Sequence, residues 1–389
     1  MMSRDHKYRI KENISEFLFS FFLLMFSLVK PITQPTGHNG VILFFLSVFC
    51  LAILTIHNFK SNISGNYRLL FQITILILFL FLFDAVGRYN DSLFDHVYNF
   101  FLYAVLPISF LSNVRDFGAV LWYYSVLSVV NGIIYLYDPL ANYVVSGGYM
   151  PFGFNVMLPA IVGSSFLFFY FQKKLALLLI LFFLLFSFIF SNKGATLTAI
   201  LIVAISYVYI PYMGGKYKRR LVQACGVLLL VVVMVVPLLE LGWTVASYLG
   251  FENSYALTTT AMISEGHGEN VYSERYKVWD DAIRMFNDSP LIGHGVGNFH
   301  KYSEQPYPHN IILQVMVEYG LVGLISFLLI FIISIKRLSK VKSFEKRIFT
   351  FIMLVMWLIP LMLSMSYWVY MPFWIYWALC FSRQKVISR

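Results

Sequence analysis

Two residues with the means to do chemistry, Arg275 and His309, lie in one polar stretch running from Gly242 to Asn310. That stretch reads S-E-R-Y-K-V-W-D-D-A, then P-L-I-G-H-G-V-G-N-F, then P-H-N. His309 directly precedes Asn310 and an apolar run starting at Ile311, so it belongs at the mouth of a helix. A neutral imidazole there takes a proton from an attacking hydroxyl near neutral pH. Arg275 is either a solvated helix charge, paired with Asp281 or Glu274, or a group that faces an anion. Lys193, in S-N-K-G between two apolar runs, is either a snorkelling anchor or a second cation of the same kind. Arg88, in D-A-V-G-R-Y, is a third. Arginine and lysine at a bilayer boundary suit a lipid pyrophosphate, because both give charge-assisted hydrogen bonds to phosphoryl oxygens. His267, His294 and His300 share the stretch without so defined a place. No spacing of histidines, cysteines and carboxylates reads as a metal site, and no cofactor is expected.

The elements that must position these groups are membrane helices. Hydrophobic residues make up 59% of the 389 and charged residues 12%, against roughly 25% charged in soluble domains. Mean hydropathy is +0.73. Apolar runs occur at Ile14–Val29, Val41–Ile56, Leu69–Val86, Val97–Leu111, Phe117–Tyr137, Phe152–Phe171, Leu175–Phe190, Ala195–Ile210, Leu221–Leu239, Ile311–Ile333, Ile348–Ser364 and Tyr367–Phe381. The expectation is an all-α polytopic bundle of about 12 transmembrane helices, since only helices satisfy the backbone inside lipid over runs of this length. The chain, residues 1–389, reads as a single transmembrane domain, with 242–310 a loop inside it that contains short amphipathic helices. Cys50, Cys225 and Cys380 all fall in apolar runs and read as small buried residues.

Charge sets the orientation. With the N-terminus inside, 22 of the 29 lysines and arginines fall in cytoplasmic segments, and both termini are cytoplasmic. The polar stretch is then extracytoplasmic. The net charge of +10 is explained by basic loops facing anionic lipid and requires no nucleic acid. The outside cations Lys30, Arg88, Lys193, Arg275, Lys277, Arg284 and Lys301 run against the bias.

Within the loop, Tyr272, Tyr276, Trp279, Ile283 and Phe286 recur at threes and fours, which predicts an amphipathic helix over Tyr272–Phe286 with that stripe as its apolar face. Pro290 stops it. Trp279 reads as packing or an interface anchor. Gly293 and Gly295 mark backbone that bends or closely approaches another element.

The order Arg275-x-x-x-Trp279-x-x-Ala282, then Pro290-Leu291-x-Gly293-x-Gly295-x-Gly297-x-Phe299, then His309-Asn310 with Leu313, Glu318, Gly320 and Gly323, resembles the core of the O-antigen ligase and polymerase superfamily. The resemblance covers roughly residues 190–325, with Lys193 in S-N-K-G-A-T-L where the family usually has arginine. Gly148-Tyr149-Met150-x-Phe152-Gly153-Phe154 is similar to a segment of the polysaccharide polymerases among them. The resemblance implies a metal-independent, inverting glycosyltransferase of the bacterial inner membrane, whose donor is a glycan on undecaprenyl pyrophosphate. Arg275, Lys193 and Arg88 would hold the pyrophosphate, His309 would serve the acceptor hydroxyl, and Trp279, Gly293, Gly295 and Asn310 would support the loop. The acceptor is a second lipid-linked unit in a polymerase of O-antigen or capsule, and lipid A–core in a ligase. A chain-length-regulating membrane protein is a further partner the family admits. A flippase or transporter with the polar loop as gate is the remaining reading, disfavoured by the lack of an internal repeat.

Overall fold

The computed structural model describes residues 13–33, 92–137, 149–210 and 268–382, together with scattered helical positions between 45 and 85 and at 248. Among these residues the regular structure is helical throughout. We label the helices α1 (Ile14–Thr33), α2 (Leu93–Leu111), α3 (Phe117–Tyr137), α4 (Phe152–Tyr170), α5 (Ala176–Phe190), α6 (Lys193–Tyr209), α7 (Gly268–Asp288), α8 (Ile311–Leu338), α9 (Phe344–Leu363) and α10 (Met371–Phe381). α1, α2, α3, α4, α8 and α9 are each long and apolar enough to cross a membrane, and α5, α6 and α10 are shorter apolar helices. The protein is a polytopic helical membrane protein. The expected spans Val41–Ile56 and Leu69–Val86 are described only at scattered helical positions, and Leu221–Leu239 lies outside the described residues, as do Cys225 and His267.

The chain packs as two compact units. One comprises Met1–Thr55 with Asp116–Gly268, the other Ile56–Arg115 with Glu269–Arg389.

In the first unit, small residues and hydroxyls let helices approach where hydrophobicity alone gives no drive. A Cβ on Gly132 of α3 would stand 2.8 Å from Ala160 of α4, and one on Gly163 of α4 would collide with Ser128. Asn131 and Tyr135 on α3 both donate to Ser27 on α1, at 3.0 Å to its hydroxyl and 2.9 Å to its carbonyl.

In the second unit, α8 is not one continuous helix. Gly320 adopts φ 63° and ψ −156°, which divides it into a short N-terminal piece and a longer arm. Such a break frees backbone groups, and at membrane depth each freed group needs a partner. The loop after α7 supplies them. His294 and Gly295 donate their N–H groups to the carbonyls of Val317 and Glu318, at 2.8 and 2.9 Å. In return Leu321 and Val322 donate to Pro290 and Leu291, at 2.8 and 3.2 Å. The glycine run is thus one half of a backbone-to-backbone seam. Beyond the break, Val322, Ile325, Leu329 and Ile332 are exposed on an arm suited to lipid.

The seam dictates its glycines. Gly293 has φ 66°, and a Cβ there would stand 2.6 Å from backbone atoms of Val317, Glu318 and Tyr319. Gly293→Ala therefore combines left-handed strain with a clash against backbone that cannot rotate away, at a cost of about 1–3 kcal/mol or more. Its melting temperature in detergent is expected to fall clearly below that of the parent protein; an unchanged melt would contradict the seam.

Candidate functional site

α7 carries Arg275, which is partly exposed. Its buried face is Val278, Ala282 and Met285, spaced by four and three, packed against Phe299, Val317 and the partly buried Leu313. This corrects the expected stripe. Tyr276 and Ile283 are 59% and 46% exposed, while the helix runs over Gly268–Asp288 and ends before Pro290 as its sequence demands. The smaller side chains face inward because the partner surface is the backbone seam, which leaves no depth for aromatic rings. Tyr276 and Ile283 turn outward while Trp279 and Phe286 are partly buried. Arg275 lies three residues before Val278, at the end of the buried face. Trp279 packs edge-on against Tyr276 at 5.9 Å, and its indole N–H is buried without a hydrogen-bond partner among the described residues. Asp281, one expected partner of Arg275, is buried and paired instead with the exposed Arg284.

His309 sits directly ahead of α8, whose N-cap is Asn310. The Asn310 side-chain oxygen accepts from the N–H groups of Ile312 and Leu313, at 2.9 and 3.3 Å. Its amide nitrogen donates to the Met362 carbonyl at 3.4 Å. His309 has φ 56°, a left-handed conformation that histidine visits more readily than most residues but still at a cost. What holds it there is the end of α9: the Nδ1 atom is 2.9 Å from the Ser364 carbonyl. A carbonyl oxygen only accepts, so Nδ1 carries the proton; Nε2 lies 3.4 Å from the Gln305 side-chain amide, whose nitrogen donates to the Nε2 lone pair once the amide is turned. Tyr307 packs against the ring at a tilt, with centroids 4.5 Å apart, and its hydroxyl donates to the same carbonyl at 3.3 Å. Burial first, and then the positive charge of Arg275, push the His309 pKa below the usual imidazole value, against the raising effect of the Ser364 carbonyl. The result is an imidazole whose neutral form is favoured by burial and, to a smaller extent, by the charge of Arg275.

Behind this pair the carboxylate of Glu318 is buried among donors. Gln314 donates to it at 2.9 Å, Trp368 from its indole at 3.2 Å to each oxygen, and Tyr367 through a short bond from its hydroxyl. Gln314 also donates to the Ser366 hydroxyl at 2.9 Å. Asp84 is buried too and accepts from the N–H of Val296 at 2.9 Å, while the Ser92 hydroxyl donates to the Gly297 carbonyl at 3.1 Å. These groups anchor the far side of the glycine loop. His294 and His300 are within 2.6 Å of the carbonyls of Met285 and Gly297 respectively, so their rings are engaged in holding the same loop.

Lys193 lies in the first unit, exposed on the first turn of α6. Asn192 caps that turn, its side chain accepting from the Ala195 N–H at 2.6 Å. Ser187, Ser191 and Thr196 form a buried hydroxyl cluster beneath it. Gly153 fits against Ser191 and Ala195, where an added Cβ would stand 2.8 Å from each. The Phe152-Gly153-Phe154 segment and the S-N-K-G turn, far apart in sequence, are therefore neighbours. Arg88 lies outside the described residues.

Arg275, Gly293, Gly295, His309 and Asn310 thus all fall in the second unit. Sequence reasoning missed the carbonyl of Ser364, 55 residues from His309, as well as Asp84 and the Tyr367–Trp368 turn. A buried carboxylate at Asp84 in an apolar run was the one signal available for these.

Among the described residues the protein is a multi-span helical membrane protein in which a histidine directly precedes the capped start of α8. Residues 175–328 match the family model described as O-antigen ligase. The matched stretch contains Lys193, Arg275, His309 and Glu318, so the candidate site lies within the part of the chain that is similar to that family. No curated protein matches the chain.

Proposed function

We propose that the protein polymerises oligosaccharide units carried on undecaprenyl pyrophosphate at the outer face of the cytoplasmic membrane. The observation that carries this reading is His309, whose Nδ1 is tied to the Ser364 carbonyl and whose ring is within electrostatic reach of the Arg275 charge. The acceptor hydroxyl gives its proton to Nε2 of His309 as its oxygen attacks the anomeric carbon of the donor. The bond from that carbon to the pyrophosphate oxygen breaks on the opposite side, the configuration inverts, and undecaprenyl pyrophosphate leaves with the electron pair. Arg275, with Lys193 and Arg88, binds the pyrophosphate and stabilises the charge that grows on it. Trp279 supports the loop 242–310 in which this happens. The distribution of basic residues supports an extracytoplasmic loop with both termini inside.

Transfer of finished glycan to lipid A–core is the second reading, favoured by the description of the matching family as O-antigen ligase. A deletion strain separates the two. As a polymerase, its loss leaves single repeat units on the surface lipid and no long chains. As a ligase, its loss strands full-length chains on the carrier. Unaltered surface glycan in the deletion strain would contradict both.

A further inference from the structure

The donors around Glu318 do more than bury a charge. Among the described residues its hydrogen bonds come from Gln314, Tyr367 and Trp368, and all three donors are tied to the short connection between α9 and α10. Tyr367 and Trp368 belong to that connection, and Gln314 bridges Glu318 to Ser366 within it. Two residues earlier is Ser364, whose carbonyl receives the Nδ1 proton of His309. The connection is fixed at its far side too, because the Trp374 indole donates to the Tyr367 carbonyl at 2.9 Å. Glu318, on the same short helix piece that His309 precedes, thus closes a ring. From His309 the path runs to Ser364, along the chain to Ser366–Trp368, across to Glu318, and back up α8 through Gln314 to Asn310. The Glu318 carbonyl also takes part in the seam with Gly295.

We propose that Glu318 is a positioning residue for His309. Its carboxylate holds the turn at Ser366–Trp368, and that turn sets where the Ser364 carbonyl stands and hence which nitrogen of His309 is basic. This rests on the reading of His309 as the proton acceptor. Glu318 touches neither donor nor acceptor; it acts through a backbone oxygen. Without it the turn loses its acceptor, the Ser364 carbonyl drifts, and the His309 ring is free to swap tautomer and to hydrate.

The test is turnover against pH for purified protein in liposomes, with an undecaprenyl-pyrophosphate-linked oligosaccharide as donor. Glu318→Ala is expected to lose about tenfold to a hundredfold in turnover, the range for misplacing a catalytic group through its support, with donor KM little changed. Its acid limb should move up towards the ordinary imidazole range, because hydration of the ring relieves burial, the largest influence, by more than loss of the Ser364 carbonyl lowers the value. Glu318→Gln should recover most of the activity: its carbonyl still accepts from Trp368, and Gln314 can turn its unpartnered side-chain oxygen to the new amide. Tyr367→Phe, which removes a single donor, should show a smaller loss with the same shift, and carries the test if Glu318→Ala does not fold. Wild-type turnover in Glu318→Ala, or an acid limb unmoved in every variant that still turns over, would overturn the proposal. Undiminished activity in His309→Asn would instead remove the reading of His309 itself.

Discussion

His309→Asn is expected to abolish long-chain glycan, with turnover falling by about 10²–10⁴-fold, the usual contribution of a positioned acid–base group. Asparagine is the informative choice. His309 has φ 56°, a conformation that asparagine adopts at little cost and alanine does not. The variant therefore keeps the backbone while removing the basic nitrogen, so protein level and detergent behaviour should match the parent. The pH profile carries the same claim. Neutral imidazole is the active form, and burial and Arg275 lower the His309 pKa. Activity should thus persist below about pH 6.5, the ordinary value, and fall only as the pH drops through the lower folded value. An acid limb above the ordinary value would contradict a buried neutral base.

Arg275→Ala is expected to cost about 10²–10³-fold, the range for removing one preorganised group that stabilises developing negative charge. It should also raise the pH of the acid limb, because it removes one of the two influences that lower the His309 pKa. Arg275→Lys should recover only part of the activity, since an ammonium keeps the charge but loses the two-pronged fork. At position 193 the order reverses. Lys193→Arg is expected to be tolerated and Lys193→Ala to weaken donor use, which a rise in donor KM would report. Wild-type kinetics in Arg275→Ala would remove the pyrophosphate role assigned to it.

The helices were legible from hydropathy because lipid imposes long apolar runs. Phe117–Tyr137 was drawn to the residue, and the ends of α4, α5 and α6 to within two. What one-dimensional periodicity could not give was the direction of a face. On α7 the largest apolar side chains suggested a core at Tyr276 and Ile283, yet the helix buries Val278, Ala282 and Met285, since a backbone seam lies on that side. The glycines announced a close approach without naming its partner, which is the interrupted helix at Gly320. His309 was recognisable from its place before a helix start. The carbonyl that fixes its tautomer was not, because a backbone oxygen carries no sequence signature. Glu318 lies within the apolar run Ile311–Ile333, and its significance comes from Gln314, Tyr367 and Trp368, which composition does not connect.

The most direct measurement is the product formed by purified protein in liposomes given a single lipid-linked repeat unit and no other protein. The account predicts carrier-linked glycan of two or more units, with one undecaprenyl pyrophosphate released for each bond made, and loss of both in His309→Asn. Movement of the lipid-linked unit across the bilayer without bond formation, or chain growth undiminished in His309→Asn, would contradict it.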